Sequence, residues 1–119
     1  MSEGNGAIAL TAAEAVEGKA VSRWLKTGPF CEGNAVRQLF GSGTLDGGVA
    51  RLEACMHGPY DDPNAAGNAP AASDIVPLAD VVLDDLTERA EQIFATRAHW
   101  LRVAVTGSGG ALDTTWWLL

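Results

Sequence analysis

Two cysteines and two histidines are the residues of this sequence whose types best suit catalysis or metal binding. Nucleophilic catalysis needs a thiol or hydroxyl beside a histidine, and a zinc site needs closely spaced cysteines or histidines. Cys31 and Cys55 lack that spacing, and neither His57 nor His99 lies in a motif that would pair it with a nucleophile. We expect two buried free thiols, with a Cys31–Cys55 disulfide as the alternative, and no catalytic residue, metal or cofactor.

Two further patterns resemble ligand sites. Residues 61–68 contain two aspartates and two asparagines, whose oxygens suit Ca²⁺, but their spacing differs from that of an EF-hand loop. The glycine-rich segments 41–43 and 107–110 lack the following Lys-Ser/Thr pair and helix of a phosphate-binding loop. We therefore interpret the acids as solvated and the glycines as turns.

Charge and hydropathy exclude other classes of function. The chain of 119 residues has a formal net charge of -7, and its eight basic residues are scattered singly along the sequence. Nucleic-acid binding needs basic residues gathered on one face, so we expect no nucleic-acid partner. No apolar run is long enough to span a bilayer. A secretory signal would require basic residues near the N-terminus, but no basic residue precedes Lys19. We therefore expect that the protein is made in the cytoplasm and does not associate with a membrane.

The secondary structure predicted for this sequence consists mostly of β-strands. Thr11 and Glu14 have the spacing of a capping box, which predicts a short helix within residues 7–18; an extended strand or arm is the alternative. Residues 19–26 alternate apolar and polar side chains and predict a strand that ends at Gly28-Pro29.

The middle of the chain contains a predicted hairpin and a long loop. Residues 35–40 and 49–56 are predicted to pair as antiparallel strands around the Asp46-Gly47 turn. Residues 57–74, rich in Pro, Asn and Gly, predict a long surface loop. Pro77 argues against a central strand after the loop. Residues 87–96 predict a strand or irregular edge, with one or two helical turns as the alternative.

Residues 97–119 predict a terminal hairpin, in which two alternating runs flank the Gly107–Gly110 segment. Adjacent residues of a strand face opposite sides, so Trp116 and Trp117 cannot share one core. We expect one of them to meet a neighbouring chain, as exposed tryptophans anchor interfaces. The candidate interface residues are Trp100, Trp116, Trp117, Leu118 and Leu119.

These patterns together predict an all-β protein, an antiparallel β-sandwich or small barrel. Residues 1–18 form its N-terminal arm or short helix, and residues 19–119 form a single domain with a long loop at 57–74.

Three segments resemble small virion structural proteins of tailed bacteriophages. They are an early strand with Trp24, the Phe40–Glu53 segment that turns on an Asp-Gly step, and the Leu101–Gly109 segment with its Leu-Arg start and Gly/Ser turn. Their order and spacing agree over roughly two thirds of the chain. The long insertion at His57–Asp74 and a helix at Ala7–Ala15 depart from the family pattern, which affects strand order and docking mode.

The resemblance implies a non-enzymatic subunit of a virion, assembled in the host cytoplasm. On this hypothesis the protein is a capsid decoration or cement protein, with head-tail and tail components as relatives. It forms a homo-oligomer, for example a trimer, that docks on the major capsid protein lattice. The Ser2–Val16 segment acts as an arm, and Trp116–Leu119 lie in a subunit interface. The alternatives are a carbohydrate- or ligand-binding module with Tyr60 and Trp100 in its site, and a small hydrolase that uses His57 or His99.

Overall fold

The structure, a computed structural model, describes residues 8–26, 35–81, 89–96 and 98–118. Nine β-strands and two single turns of 3-10 helix, Ala12–Glu14 and Ala72–Asp74, make up its regular elements. The predicted all-β fold is confirmed. The strands are β1 (Ile8–Thr11), β2 (Lys19–Val21), β3 (Leu25–Lys26), β4 (Ala35–Thr44), β5 (Val49–Cys55), β6 (Ile75–Val81), β7 (Arg89–Thr96), β8 (Trp100–Thr106) and β9 (Asp113–Leu118).

Two antiparallel sheets contain these strands. Sheet I has the order β1-β9-β4-β7, and sheet II has the order β2-β8-β5-β6, with β3 pairing to β8 beyond the end of β2. One core cluster combines Leu10, Leu39 and Trp116 of sheet I with Leu52 and Val103 of sheet II. The two sheets therefore pack face to face as a β-sandwich.

The alternation predicted for the last two strands is confirmed. In β8, Leu101, Val103 and Val105 are fully buried, and Arg102 between them is not. The same period of two places Thr114 and Trp116 of β9 in the core and Trp117 on the other face.

The N-terminal segment begins as a strand, and the predicted short helix is limited to the 3-10 turn Ala12–Glu14. Strand β1 pairs with β9, with Ile8 opposite Trp116, and Leu10 reaches the core. The predicted capping interaction does form: Glu14 Oε2 accepts hydrogen bonds from the Thr11 backbone N–H (2.7 Å) and hydroxyl (2.6 Å). It closes only one 3-10 turn, because the preceding residues bury more apolar surface as a strand. Residues 1–7 lie outside the described part.

Neither predicted hairpin forms. Strands β4 and β5 belong to different sheets, and so do β8 and β9. Each connection contains a buried leucine, Leu45 in the first and Leu112 in the second, and both leucines join the core between the sheets. A connection whose middle is buried between two sheets about 10 Å apart crosses from one to the other, so its flanking strands separate.

The Asp-Gly turn itself forms as predicted. Asp46 and Gly47 have φ values of 48° and 82°, and the Gly48 N–H donates to Leu45 O at 2.9 Å. Asp46 also joins the two connections, because its carbonyl accepts the Gly109 N–H (3.0 Å) and its Oδ2 accepts the Ala111 N–H (2.8 Å). Turn chemistry was therefore predicted correctly where strand pairing was not.

The predicted edge positions are confirmed. Strand β6, which contains Pro77, is an edge of sheet II and has an irregular register beside Leu52 and Glu53. Strand β7 is an edge of sheet I. The strand predicted for residues 19–26 is split into β2 and β3; between them the Ser22 hydroxyl accepts the Val103 N–H at 3.0 Å.

Candidate functional site

Trp116 and Trp117 occupy opposite environments. Trp116 has 0% of its surface exposed, and its indole N–H donates to the Thr114 hydroxyl at 2.8 Å. Trp117 lies on the outer face of sheet I, where it is partly exposed and stands opposite Phe40 of β4. Trp117 is therefore the member of the pair that remains available to a partner.

The other candidate interface residues are placed differently. Trp100 is 7% exposed, because the loop after β5 covers it and Gly58 O accepts its indole N–H at 2.8 Å. Tyr60 in that loop is 85% exposed. An open sugar platform made of both rings is therefore not present. Leu118 ends β9, and Leu119 lies outside the described part.

The loop at residues 57–74 is folded onto sheet II by its asparagines. Asn64 bonds both backbone groups of Trp24: its Oδ1 accepts the N–H at 2.8 Å and its Nδ2 donates to the carbonyl at 3.0 Å. Asn68 donates to Asp61 Oδ1 and to Asp62 O, both at 2.7 Å. Asp61 Oδ1 and Asp62 O therefore accept hydrogen bonds within the loop. The described residues contain no group of three or more His, Cys, Asp or Glu that could hold a metal.

Cys55, His57 and His99 line one cavity of about 330 Å³, an association that the sequence did not reveal. Cys55 is a buried free thiol, and burial raises its pKa. His57 Nε2 bonds to Asn68 O at 2.9 Å, whereas His99 Nδ1 is buried without a partner among the described residues. A thiol with a raised pKa is less often in its nucleophilic thiolate form. Cys31 lies outside the described part.

The outer face of sheet II carries an ion cluster of Lys19, Glu53 and Arg102. Lys19 Nζ lies 2.8 Å from Glu53 Oε2, and Arg102 Nε lies 2.7 Å from Glu53 Oε1. The Arg102 guanidinium stacks on Trp24, with its Cζ 4.6 Å from the ring centroid. The alternation of Arg51 and Glu53 predicted a polar face here, but the partners of Glu53 come from distant strands and were missed.

The pKa of Glu53 predicts a loss of stability in acid. Burial alone would raise this pKa, but hydrogen bonds from Lys19 and Arg102 outweigh it and hold the pKa below its ordinary value of 4.5. A carboxyl whose pKa is lowered by folding stabilises the fold above the unfolded pKa, and this contribution is lost as pH falls through the folded pKa. We expect Glu53→Gln to lower the free energy of unfolding by about 2 kcal/mol at pH 7.

Urea unfolding at neutral pH and at a series of acidic pH values measures this effect. The difference between the protein and Glu53→Gln should shrink as the pH falls through the lowered folded pKa of Glu53, because both proteins then have an uncharged side chain at this position. Glu17→Gln is the matched control, since it removes one negative charge from an exposed residue. A difference that is the same at both pH values would contradict the role of the carboxylate.

Comparison of the chain with protein-family models, with curated proteins and with solved structures finds no match. In the described part of the chain, no helix is long and apolar enough to cross a membrane.

Proposed function

We propose that this protein is a non-enzymatic structural subunit of a bacteriophage virion, a decoration or cement protein that binds the major capsid protein lattice and stabilises the head. The observation that carries the proposal is the partly exposed aromatic pair of Trp117 and Phe40 on the outer face of sheet I. Its strands, β9 and β4, are the two central strands of that sheet. A partly exposed tryptophan on the outer face of a central strand is a common type of interface anchor.

The fold suits such a role. A β-sandwich presents broad faces, and the face that holds Trp117 is opposite to the one covered by the long loop. Homo-oligomerisation would place several copies of this face on the capsid lattice, so that modest contacts in each chain give high avidity. The resemblance of the Phe40–Glu53 and Leu101–Gly109 segments to phage virion proteins supports the same class.

The substitution Trp117→Lys tests this proposal. We expect it to weaken self-association and binding to capsids of the same phage, because a charge replaces the apolar anchor. The loss of such an aromatic contact should weaken the binding free energy by about 2 kcal/mol, which is roughly a 30-fold loss of affinity. Sedimentation of the protein alone and its occupancy on purified capsids measure the two effects.

Val76→Lys is the matched control, since Val76 is an exposed apolar residue on sheet II. It should leave sedimentation and capsid occupancy unchanged. Deletion of Trp116–Leu119 is a poorer test, because it also removes Trp116 from the core. If Trp117→Lys is folded and binds capsids as well as the unaltered protein, the proposal is wrong.

A further inference from the structure

The long loop (residues 57–74) has little apolar surface of its own to hold it in place. It contains no leucine, isoleucine, valine or phenylalanine, and its one tyrosine, Tyr60, is exposed. Among the residues of the loop only Pro63 is buried. Segments with few buried apolar side chains lie at the low end of the local stabilities within a protein. The loop therefore depends on polar contacts for its position.

Polar contacts inside the loop join its parts into one unit. The Asn68 carbonyl bonds His57 Nε2 at 2.9 Å, and the Asn68 side-chain amide donates to Asp61 Oδ1 and to Asp62 O. Four backbone hydrogen bonds between residues three apart close turns within residues 58–74. All of these contacts can persist when the loop moves away from the sandwich.

Contacts between the loop and the sandwich involve two tryptophans of sheet II. Asn64 bonds both backbone groups of Trp24, and Gly58 O accepts the Trp100 indole N–H. Trp24 and Trp100 form one buried cluster with Cys55. Trp24 lies between β2 and β3 at the edge of sheet II, where unpaired backbone groups can pair with an extended peptide. The closed loop therefore covers an apolar cluster and blocks pairing at this edge.

We propose that the long loop is a lid that opens as one unit while the two sheets stay folded. Opening breaks the hydrogen bonds to Trp24 and Trp100, whereas the core cluster around Trp116 contains no residue of the loop. The open lid makes both sheet II tryptophans accessible to a partner, and the closed lid withholds them. This inference does not rest on the proposed function, because Trp117 and Phe40 lie on the other sheet.

Hydrogen exchange of the full chain, followed by NMR, tests the proposal. The Trp100 indole N–H and the Trp24 amide N–H report on the lid, because both donate to residues of the loop. The Trp116 indole N–H reports on the core, since it donates to the buried Thr114 hydroxyl. We expect the two lid reporters to have similar protection factors, at least about 100-fold lower than that of the Trp116 indole N–H.

Asn64→Ala tests whether the lid opens as one unit. It removes both hydrogen bonds to Trp24 and should speed exchange of the Trp100 indole N–H roughly 10- to 30-fold. Because Asn64 bonds Trp24 rather than Trp100, the effect reaches Trp100 only if the whole loop opens together. Ser73→Ala is the matched control, since it changes an exposed residue of the same loop, and it should leave that exchange unchanged.

Leu112→Ala separates opening of the lid from unfolding of the sandwich. Leu112 is buried in the core cluster, so its truncation should speed exchange of the Trp116 indole N–H and leave that of Trp100 unchanged. Equal protection of the Trp100 and Trp116 indole N–H groups in the unaltered protein would overturn the proposal. Equal acceleration of both groups in Leu112→Ala, or an unchanged Trp100 exchange in Asn64→Ala, would also overturn it.

Discussion

Trp116→Ala is expected to destabilise the protein by about 3–5 kcal/mol, a large share of the stability of a domain this size. The side chain is fully buried and joins residues of both sheets in one core. Its indole N–H donates to the Thr114 hydroxyl, which in turn donates to Leu10 O at 2.9 Å. Truncation would therefore leave a cavity between the sheets and remove the hydrogen bond that the buried Thr114 hydroxyl accepts.

Urea unfolding followed by tryptophan fluorescence or circular dichroism measures this loss. Trp117→Ala is the matched control, since it removes the same side chain from the next residue. Because Trp117 is only partly buried, its truncation should cost much less, about 1 kcal/mol. Equal losses in the two variants would contradict the assignment of Trp116 to the core and Trp117 to the surface.

Features that depend on neighbouring residues could be predicted from the sequence. The alternation around Val103 and Trp116 follows from the period of two in a strand, and the edge position of β6 follows from Pro77, which cannot donate a ladder hydrogen bond. The opposite placement of Trp116 and Trp117 follows from the same period. These rules need no knowledge of the rest of the fold.

Strand pairing could not be predicted in the same way. The Asp46-Gly47 turn has the backbone geometry expected of a hairpin, yet it leads from sheet I to sheet II. A turn signal specifies how the chain reverses, but not whether the strands on either side stay in one sheet. Here Leu45 and Leu112 decide the outcome, because their burial between the sheets depends on side chains from distant strands.

The ion cluster around Glu53 also combines a feature that was predictable from neighbouring residues with contacts that were not. The outward alternation of Arg51 and Glu53 was visible in the sequence, whereas the contacts of Glu53 with Lys19 and Arg102 span 34 and 49 residues. Likewise, the cover that the long loop provides for Trp100 depends on a hydrogen bond across 42 residues. Lys19, Glu53 and Arg102, which are far apart along the chain, therefore form one ion cluster only through the strand order of sheet II.

Gly43→Ala is expected to be the second strongly destabilising substitution. Gly43 has a φ of 107°, a conformation that residues with a side chain rarely adopt. A Cβ at this position would overlap the carbonyl oxygen of Asp113 in the neighbouring strand β9, and this is a backbone atom that cannot move aside alone. The strain and the clash together should cost about 3 kcal/mol.

The clash at residue 43 should also destabilise the core between the two sheets. Gly43 pairs with Thr114, whose hydroxyl links Trp116 to β1, so a displaced β9 would disturb the same core that Trp116 fills. Gly110→Ala is the control, since a Cβ there meets no atom within 4 Å, and it should change the free energy of unfolding by less than about 0.5 kcal/mol. Similar melting temperatures for the two variants would show that the approach of β4 to β9 does not require glycine at residue 43.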